Sequence, residues 1–331
     1  MKRLLWLHTG GTIACTQSEE GLSPSFASST LMQILGNLIG QYEIFTEDLF
    51  TLDSSNIQPE EWVVIAKRIG ENVESYDGIV VTHGTDTMAY TASALSFMLK
   101  NCPIPVVLTG SQLPLDHPLS DGVDNLRCAF AMASSDMPGV FVAFNRKIIL
   151  GTRAVKVRTT SFDAFESVNY PAVGVVDSSG LRIHELFIPP VFDAFELCTN
   201  LCKEVMLIKL IPGMNPAILD AMKPLGIKGV VIEAFGIGGL SFVRRDFSEK
   251  ISQLMNQGIA VVVCSQCLYE RADFSRYEVG KKALMNGVIE ARDMTSEACV
   301  TKLMWALGQT HNLSKVRELM MSNLVYEIGS E

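Results

Sequence analysis

The chain has 331 residues, 48% of them apolar, and its 27 Lys+Arg against 36 Asp+Glu give a net charge of −9. A chain this long and this apolar folds, and it exceeds a typical single domain, so two domains are expected. No clustered basic run marks a nucleic-acid face, and no apolar stretch approaches the roughly 20 residues that a membrane helix needs.

In chain order, Leu4-Leu5-Trp6-Leu7 is short and apolar, stops at His8-Thr9-Gly10-Gly11, and reads as a buried strand rather than as the apolar region of a signal peptide. Cys15 to Phe26 reads as a mobile loop able to close over a crevice. Leu31 to Ile39 has helical spacing, and Tyr42 to Leu52 reads as an extended segment ending at Asp53-Ser54-Ser55-Asn56. Pro59-Glu60-Glu61 opens a helix running toward Asn72, with Pro in its favoured first turn and acids at the positive end of the dipole. Gly78-Ile79-Val80-Val81 predicts a second buried strand, with a helix from Met88 to Leu99 after it. Pro105-Val106-Val107-Leu108 predicts a third strand.

Asp121 to Ser134 is expected as a helix, and Gly139 to Phe144 and Lys147 to Leu150 as two strands about a turn near Asn145-Arg146. Lys156 follows on Gly151 to Lys156. Periodicity fades between Arg182 and Lys203, where Pro189-Pro190 sit, so a linker over 184–204 is expected between an N-terminal domain, 1–183, and a smaller one, 205–331. The second alternation runs through Val205 to Ile211, a helix Pro216 to Met222, Gly229 to Ile232, a helix Phe247 to Asn256, Ala260 to Val263, and a long helix around Ala298 to Leu307. The fold class expected is α/β, with a larger N-terminal parallel-type sheet flanked by helices and a smaller C-terminal parallel sheet.

Three of these strands end in polar turns: Thr9-Gly10-Gly11-Thr12, His83-Gly84-Thr85-Asp86-Thr87 and Thr109-Gly110-Ser111-Gln112. In an open α/β sheet the ligand crevice lies at the carboxyl ends of the strands, so Thr12, Thr85 and Asp86 are expected to share one crevice. Taken singly, Thr12 and Asp86 read as helix N-caps, and His83 as a strand-end histidine with a structural hydrogen bond. The recurrence of Thr after Gly in both turns favours a nucleophile site.

The chain has no G-x-S-x-G elbow, Walker A loop or H-E-x-x-H. Gly236-Ile237-Gly238-Gly239 lacks the third spaced glycine of a dinucleotide fingerprint, and no cofactor is expected. Cys264-Ser265-Gln266-Cys267 has metal spacing but no second pair, so buried structural thiols are expected there and no metal. The eight cysteines (15, 102, 128, 198, 202, 264, 267 and 299) read as free thiols of a cytoplasmic protein.

On Thr9-Gly10-Gly11-Thr12-Ile13-Ala14, His83-Gly84-Thr85-Asp86-Thr87-Met88-Ala89-Tyr90, Thr109-Gly110-Ser111-Gln112, Asp53-Ser54-Ser55 and Lys156, the chain resembles the bacterial-type L-asparaginases, in particular their cytoplasmic type I branch. The resemblance implies hydrolysis of L-asparagine to L-aspartate and ammonia through a threonine-linked acyl-enzyme, without a metal. It implies Thr12 as the nucleophile, and Thr85, Asp86 and Lys156 as the second threonine with its acid and base. A partly buried Lys156 of lowered pKa would then take the proton through Thr85. Gly11, Asp53, Ser54, Ser55, Gly84 and Ser111 are implied as substrate-binding, with backbone N–H groups near Gly84 and Thr85 as oxyanion donors. A homodimer or homotetramer is implied as well.

Three positions depart from the family pattern. Leu22 stands where relatives carry a loop tyrosine, Gly239 where a neighbouring subunit lends an asparagine, and Glu233 where some members carry a basic residue at a regulatory site. The alternatives are a sensor that binds amino acids and an amidohydrolase for another amide, such as glutamine. The related tRNA-dependent amidotransferase is disfavoured because its homologous subunit usually carries an extra N-terminal domain.

Overall fold

The computed structural model describes residues 1–18, 21–24, 41–276, 280, 281, 284 and 287–329. They divide into two compact units, Met1–Thr199 and Asn200–Glu331.

In the first unit the chain forms β1 (Lys2–Gly10), a hairpin of β2 (Cys15–Ser18) and β3 (Gly21–Pro24), β4 (Tyr42–Leu52), α1 (Pro59–Gly70), β5 (Gly78–Thr82) and α2 (Met88–Met98). There follow β6 (Leu99–Lys100), β7 (Pro105–Thr109), α3 (Gly122–Ala133), β8 (Gly139–Phe144), β9 (Lys147–Leu150), β10 (Ala154–Lys156), β11 (Phe165–Ser167), β12 (Gly174–Asp177), β13 (Gly180–Ile183) and β14 (Glu196–Leu197). Eight strands make one sheet in the order β13-β12-β9-β8-β7-β5-β1-β4. From β4 to β8 neighbouring strands are parallel, whereas β9, β12 and β13 are added antiparallel.

The parallel-type sheet expected from sequence is therefore mixed at one edge. The cause is local: Asn145 and Arg146 both adopt positive φ (46° and 61°), which makes a tight hairpin between β8 and β9 where a parallel crossover would need a helix.

Every residue of β5 and β7 is buried, as befits central strands of uninterrupted apolar sequence. Helix α3 packs on β5, β7 and β8, and Phe130 of α3 meets Trp6 of β1 edge-on at 5.4 Å between ring centroids. Helix α2 packs on β7, β8 and β10 and is buried almost all round, which its sequence of Ala, Met, Leu, Ser and Phe allows. Helix α1 opens at Gln58, whose backbone N–H donates to Glu61 Oε2 at 2.8 Å. Pro59 stands at its first position.

Register places the site. His8 of β1 lies opposite Thr82 of β5, and Thr82 opposite Thr109 of β7. Three parallel strands thus finish at one level, and the three polar turns emerge side by side at the carboxyl edge of the sheet.

Of the loop expected over Cys15 to Phe26, the described residues Cys15–Ser18 and Gly21–Pro24 are instead paired strands, and the rest lies outside the described residues. Cys15↔Pro24, Thr16↔Ser23, Gln17↔Leu22 and Ser18↔Gly21 pair as an antiparallel ladder. A four-residue strand with polar residues and a glycine in it carries the composition of a loop, so neither strand stands out in sequence. The predicted helix from Leu31 to Ile39 lies outside the described residues.

The second unit carries a four-stranded parallel sheet of β15 (Val205–Lys209), β16 (Gly229–Ala234), β17 (Ala260–Ser265) and β18 (Ile289–Glu290) in sequence order. Its helices include α4 (Phe247–Asn256), α5 (Ser296–Gln309) and α6 (Leu313–Met321), and the helix expected at Pro216 is a 3-10 turn, Pro216–Ala221. Helix α4 lays Phe247, Ile251 and Leu254 into a core with Val230, Ile232, Val261 and Val263.

The tail after α6 is fastened by a fully buried ion pair. Lys302 Nζ of α5 donates to Glu327 Oε1 at 2.5 Å and to the carbonyls of Met320 at 3.0 Å and Ser322 at 2.5 Å. Glu327 in turn accepts the N–H groups of Leu324 and Val325. Burial pulls the Lys302 ammonium below its ordinary range, against the Glu327 charge that holds it up.

Candidate active site

The three turns meet on glycine backbones. Gly11 has φ +81°, and a Cβ built on it would stand 2.4 Å from the Gly84 nitrogen and 2.5 Å from the Gly84 Cα. A Cβ on Gly84 would in turn stand 2.6 Å from Ser54 Oγ. Only glycine lets the first turn, the second turn and the Asp53-Ser54-Ser55 segment approach this closely.

Gly11 N–H donates to the Leu52 carbonyl at 3.0 Å, and Thr87 Oγ1 donates to the Ser54 carbonyl at 2.7 Å, so both turns are also tied to the end of β4. Thr12, next to Gly11, is half-buried and begins a 3-10 turn, Thr12–Ala14. Thr85, next to Gly84, is buried.

Lys156 joins them from β10. Its Nζ donates to Thr85 Oγ1 at 2.8 Å and to Asp86 Oδ1 at 2.5 Å, and its side chain is 16% exposed where that of Asp86 is 63% exposed. Asp86 is therefore a lysine partner rather than a helix cap, and the cap position of α2 falls to Thr87. Lys156 is placed by the β10–β11 pairing, where it lies opposite Phe165. The connection between those strands is braced by Lys147 Nζ on Asp163 Oδ1 at 2.7 Å and Arg158 on Glu166 at 2.7 Å. The hydrogen bond from Lys147 is the first of several contacts that hold the Asp163 carboxyl below its usual range.

Gln112 was missing from the sequence-predicted site residues, although it closes the third motif. Thr85 Oγ1 donates to Gln112 Oε1 at 3.2 Å, while Gln112 Nε2 donates to the carbonyls of Thr159 at 3.0 Å and Ser161 at 3.1 Å. Gln112 thus connects the second threonine to the lysine-bearing hairpin. Its turn is moored by the start of α3: Asp121 accepts the N–H of Gln112 at 3.0 Å, and Asn125 Nδ2 donates to the Gly110 carbonyl at 3.0 Å. Ser111 is buried, and its hydroxyl donates to the Leu113 carbonyl at 2.5 Å within the same turn.

Asp53 Oδ1 accepts from Ser55 Oγ at 2.5 Å and from Ser55 N at 2.8 Å, and these bonds hold its carboxyl below the usual range. Ser54 is buried against Gly84, whereas Asp53 and Ser55 are exposed.

His83 is wholly buried and pushed down to about 4 by that burial, so its ring is neutral. Its Nδ1 lies 2.7 Å from the Gly84 carbonyl and its Nε2 2.9 Å from Thr91 Oγ1, which also accepts Trp62 Nε1–H at 3.0 Å.

Among the described residues, no group of three or more His, Cys, Asp or Glu is placed to hold a metal ion. The Cys264-Ser265-Gln266-Cys267 reading is corrected in part: Cys264 is buried and Cys267 is exposed, because the latter lies past the end of β17. Gly236 to Gly239 forms a tight turn closed by a Phe235–Gly239 bridge, and helix α4 begins only at Phe247. Glu233 accepts Ser296 Oγ at 2.5 Å. The side chain of Leu22 lies outside the described residues. No helix of the described residues is long and apolar enough to cross a membrane.

The asparaginase N-terminal family matches residues 3–187, and the glutaminase/asparaginase C-terminal domain matches residues 204–320. An L-asparaginase of Thermococcus kodakarensis is 45% identical over 331 residues, which is 98% of this chain and 99% of that protein. A glutamyl-tRNA(Gln) amidotransferase component of Methanosphaera stadtmanae is 36% identical over 342 residues, covering 99% of this chain and 77% of that one. The solved structure of the thermostable L-asparaginase from Thermococcus kodakarensis superposes with a TM-score of 0.93 at 43% identity, covering 99% of this chain and 100% of that one. With both family domains present in order over nearly the whole length, the chain belongs to the asparaginase family of amidohydrolases.

Proposed function

We propose that this chain hydrolyses the side-chain amide of L-asparagine to L-aspartate and ammonia, with Thr12 as nucleophile. One observation carries the reading: a lysine ammonium shared between Thr85 Oγ1 and Asp86 Oδ1, set where the glycine of the first turn rests on that of the second. A structural ion pair needs no hydroxyl between its partners, whereas an activated threonine does.

In the reaction, Thr12 Oγ attacks the carboxamide carbon and its proton leaves toward the Thr85–Lys156 pair. The carbonyl oxygen gathers negative charge opposite the backbone N–H groups at Gly84 and Thr85. Loss of such a donor removes about 2.7–4 kcal/mol of transition-state stabilisation in well-studied hydrolases. The C–N bond breaks, the nitrogen takes the proton and departs as ammonia, and water cleaves the Thr12 ester to release aspartate.

In the resting arrangement Lys156 is the donor to Thr85, and the Thr85 hydroxyl points to Gln112. For Lys156 to act as base, its ammonium first gives one proton to solvent, the Thr85 hydroxyl then turns from Gln112 Oε1 to the neutral Nζ, and Asp86 keeps the lysine in place.

Asp53, Ser54 and Ser55, with Gly11 and Gly84, form the pocket for the substrate's α-amino and α-carboxylate groups. An ionised Asp53, already held by Ser55, suits the ammonium. Ser111 serves this pocket by holding its turn, since its hydroxyl is engaged with Leu113.

A second reading, hydrolysis of a glutamine amide, is favoured by the amidotransferase relative. Ammonia release measured on asparagine and glutamine side by side distinguishes the two, and saturable binding of either without turnover makes the chain a sensor. We place the protein in the cytoplasm, as a homodimer or homotetramer. Free thiols at Cys102, Cys128, Cys264 and Cys299 suit a reducing compartment.

A further inference from the structure

We infer that His83 and Thr91 are positioning residues for the amide-hydrolysis step: a directed chain of hydrogen bonds from Trp62 through Thr91 and His83 to the Gly84 carbonyl fixes and polarises the Gly84–Thr85 peptide. The direction follows from the chemistry of the atoms. A carbonyl only accepts, so His83 Nδ1, 2.7 Å from the Gly84 oxygen, carries the ring proton. In the neutral ring Nε2 is then an acceptor, and Thr91 Oγ1 at 2.9 Å donates to it. An indole nitrogen only donates, so Trp62 Nε1, 3.0 Å from Thr91 Oγ1, supplies the outer end. Every polar atom of the chain acts in its proper role, Thr91 Oγ1 both accepting and donating, and the residues come from α1, α2 and the end of β5.

The target of this chain is the peptide that joins the glycine on which Gly11 rests to the threonine that holds Lys156. Hydrogen bonding at its carbonyl draws electron density from the amide, which strengthens the Thr85 N–H as a donor to a developing oxyanion. It also fixes the plane of that peptide, and so the direction of the N–H and of the Thr85 side chain. Trp62, Thr91 and His83 are all buried, which raises the weight of each bond and keeps water from substituting for a missing partner.

This inference rests on the amide-hydrolase reading above. Its first test needs no variant: nitrogen-15 NMR of the unmodified protein with labelled histidine, the two buried rings His8 and His83 being assigned separately, is expected to show the His83 ring as the Nδ1–H tautomer. A His83 ring in the Nε2–H tautomer overturns the chain's direction. The second test compares Thr91→Val with Thr91→Ser in ammonia release. Val removes the hydroxyl at nearly constant shape, and kcat is expected to fall about tenfold with KM within about twofold, the pattern of an interaction made in the transition state. Ser, which keeps the hydroxyl, is expected to restore most of kcat. An unmodified protein that turns over amide, beside a folded Thr91→Val variant of unchanged kcat, overturns the positioning role and leaves the hydrolase reading standing. An unmodified protein inactive on both amides overturns the hydrolase reading, while the tautomer measurement still judges the chain.

Discussion

Gly11 rests directly on Gly84: a methyl group on the first would lie 2.4 Å from the amide nitrogen of the second. This contact brings the turn carrying Thr12 against the turn carrying Thr85, which no property of either threonine would do alone. Gly11→Ala is expected to force the turns apart, at about 1–3 kcal/mol of overpacking and a further 1–2 kcal/mol, roughly, for an L residue at φ +81°. Gly84→Ala meets Ser54 but has no positive φ to sustain, so it should be the milder change. Denaturant midpoints of the two variants, read beside their residual activity, check the order.

Lys156 is held by polar contacts at the rim of the first unit rather than in its core. Lys156→Met should therefore leave the thermal midpoint within a few degrees of the unmodified protein while kcat falls by about 10²–10⁴, the range for loss of a general base. A variant that keeps more than a tenth of kcat would remove Lys156 from the chemistry.

Stability should fall as pH drops from about 6.5 to 4. His8 and His83 are both buried and pushed down to about 4 from an ordinary value of 6.5. Below 6.5 the unfolded chain therefore binds protons that the folded chain refuses. Their contribution is complete above 6.5, shrinks as pH falls and is gone below 4, at about 3 kcal/mol for each histidine. Asp53, Asp77 and Asp163, whose carboxyls lie below the usual 3.8, act in the lower window, because the stability they add is lost only as pH falls below that value. Urea midpoints at about pH 7, 5.5, 4 and 3 separate the two windows, and a flat profile between 7 and 4 contradicts the histidine assignment.

In the second unit, Lys302→Met removes the cation that pairs with Glu327 in a site with no access to water. A loss of about 3–5 kcal/mol is expected. The double variant Lys302→Met, Glu327→Gln should lose less than the two single changes together, because it removes the unpaired carboxyl. Additive losses in thermal unfolding would show that the two side chains act independently.

Much of the first unit was legible in sequence because its central strands are buried on both faces and end in glycine-bearing turns. Gly78 to Val81 and Pro105 to Leu108 have no other reading, and β5 and β7 match them within a residue. Helix α4 runs over the same residues as predicted, since Asp246 caps it and its apolar positions keep one face. The hairpins β2–β3, β10–β11 and β12–β13 were not legible. Strands of three or four residues, half of them polar, have too little pattern to separate from loops, and their partners are set by the sheet rather than by local preference.

The same limit applied to the site. Thr12, Thr85 and Asp86 announce themselves by position after a strand, but Gln112, Asp121, Asn125 and Thr91 act through hydrogen bonds to other turns and helices that local sequence does not reveal. Gln112 alone carried a signal, as the last residue of the Thr109-Gly110-Ser111-Gln112 motif. Thr91 lies inside a helix among apolar neighbours, where its hydroxyl reads as packing.

The central claim is a threonine-based amide hydrolysis, and it is tested most directly by ammonia release from L-asparagine and L-glutamine by the unmodified protein beside Thr12→Ala and Thr85→Ala. Turnover of asparagine well above that of glutamine is expected, and it should be abolished in both variants with their unfolding midpoints preserved. An unmodified protein that binds either amide without releasing ammonia, or a Thr12→Ala variant that retains most of its turnover, would contradict it.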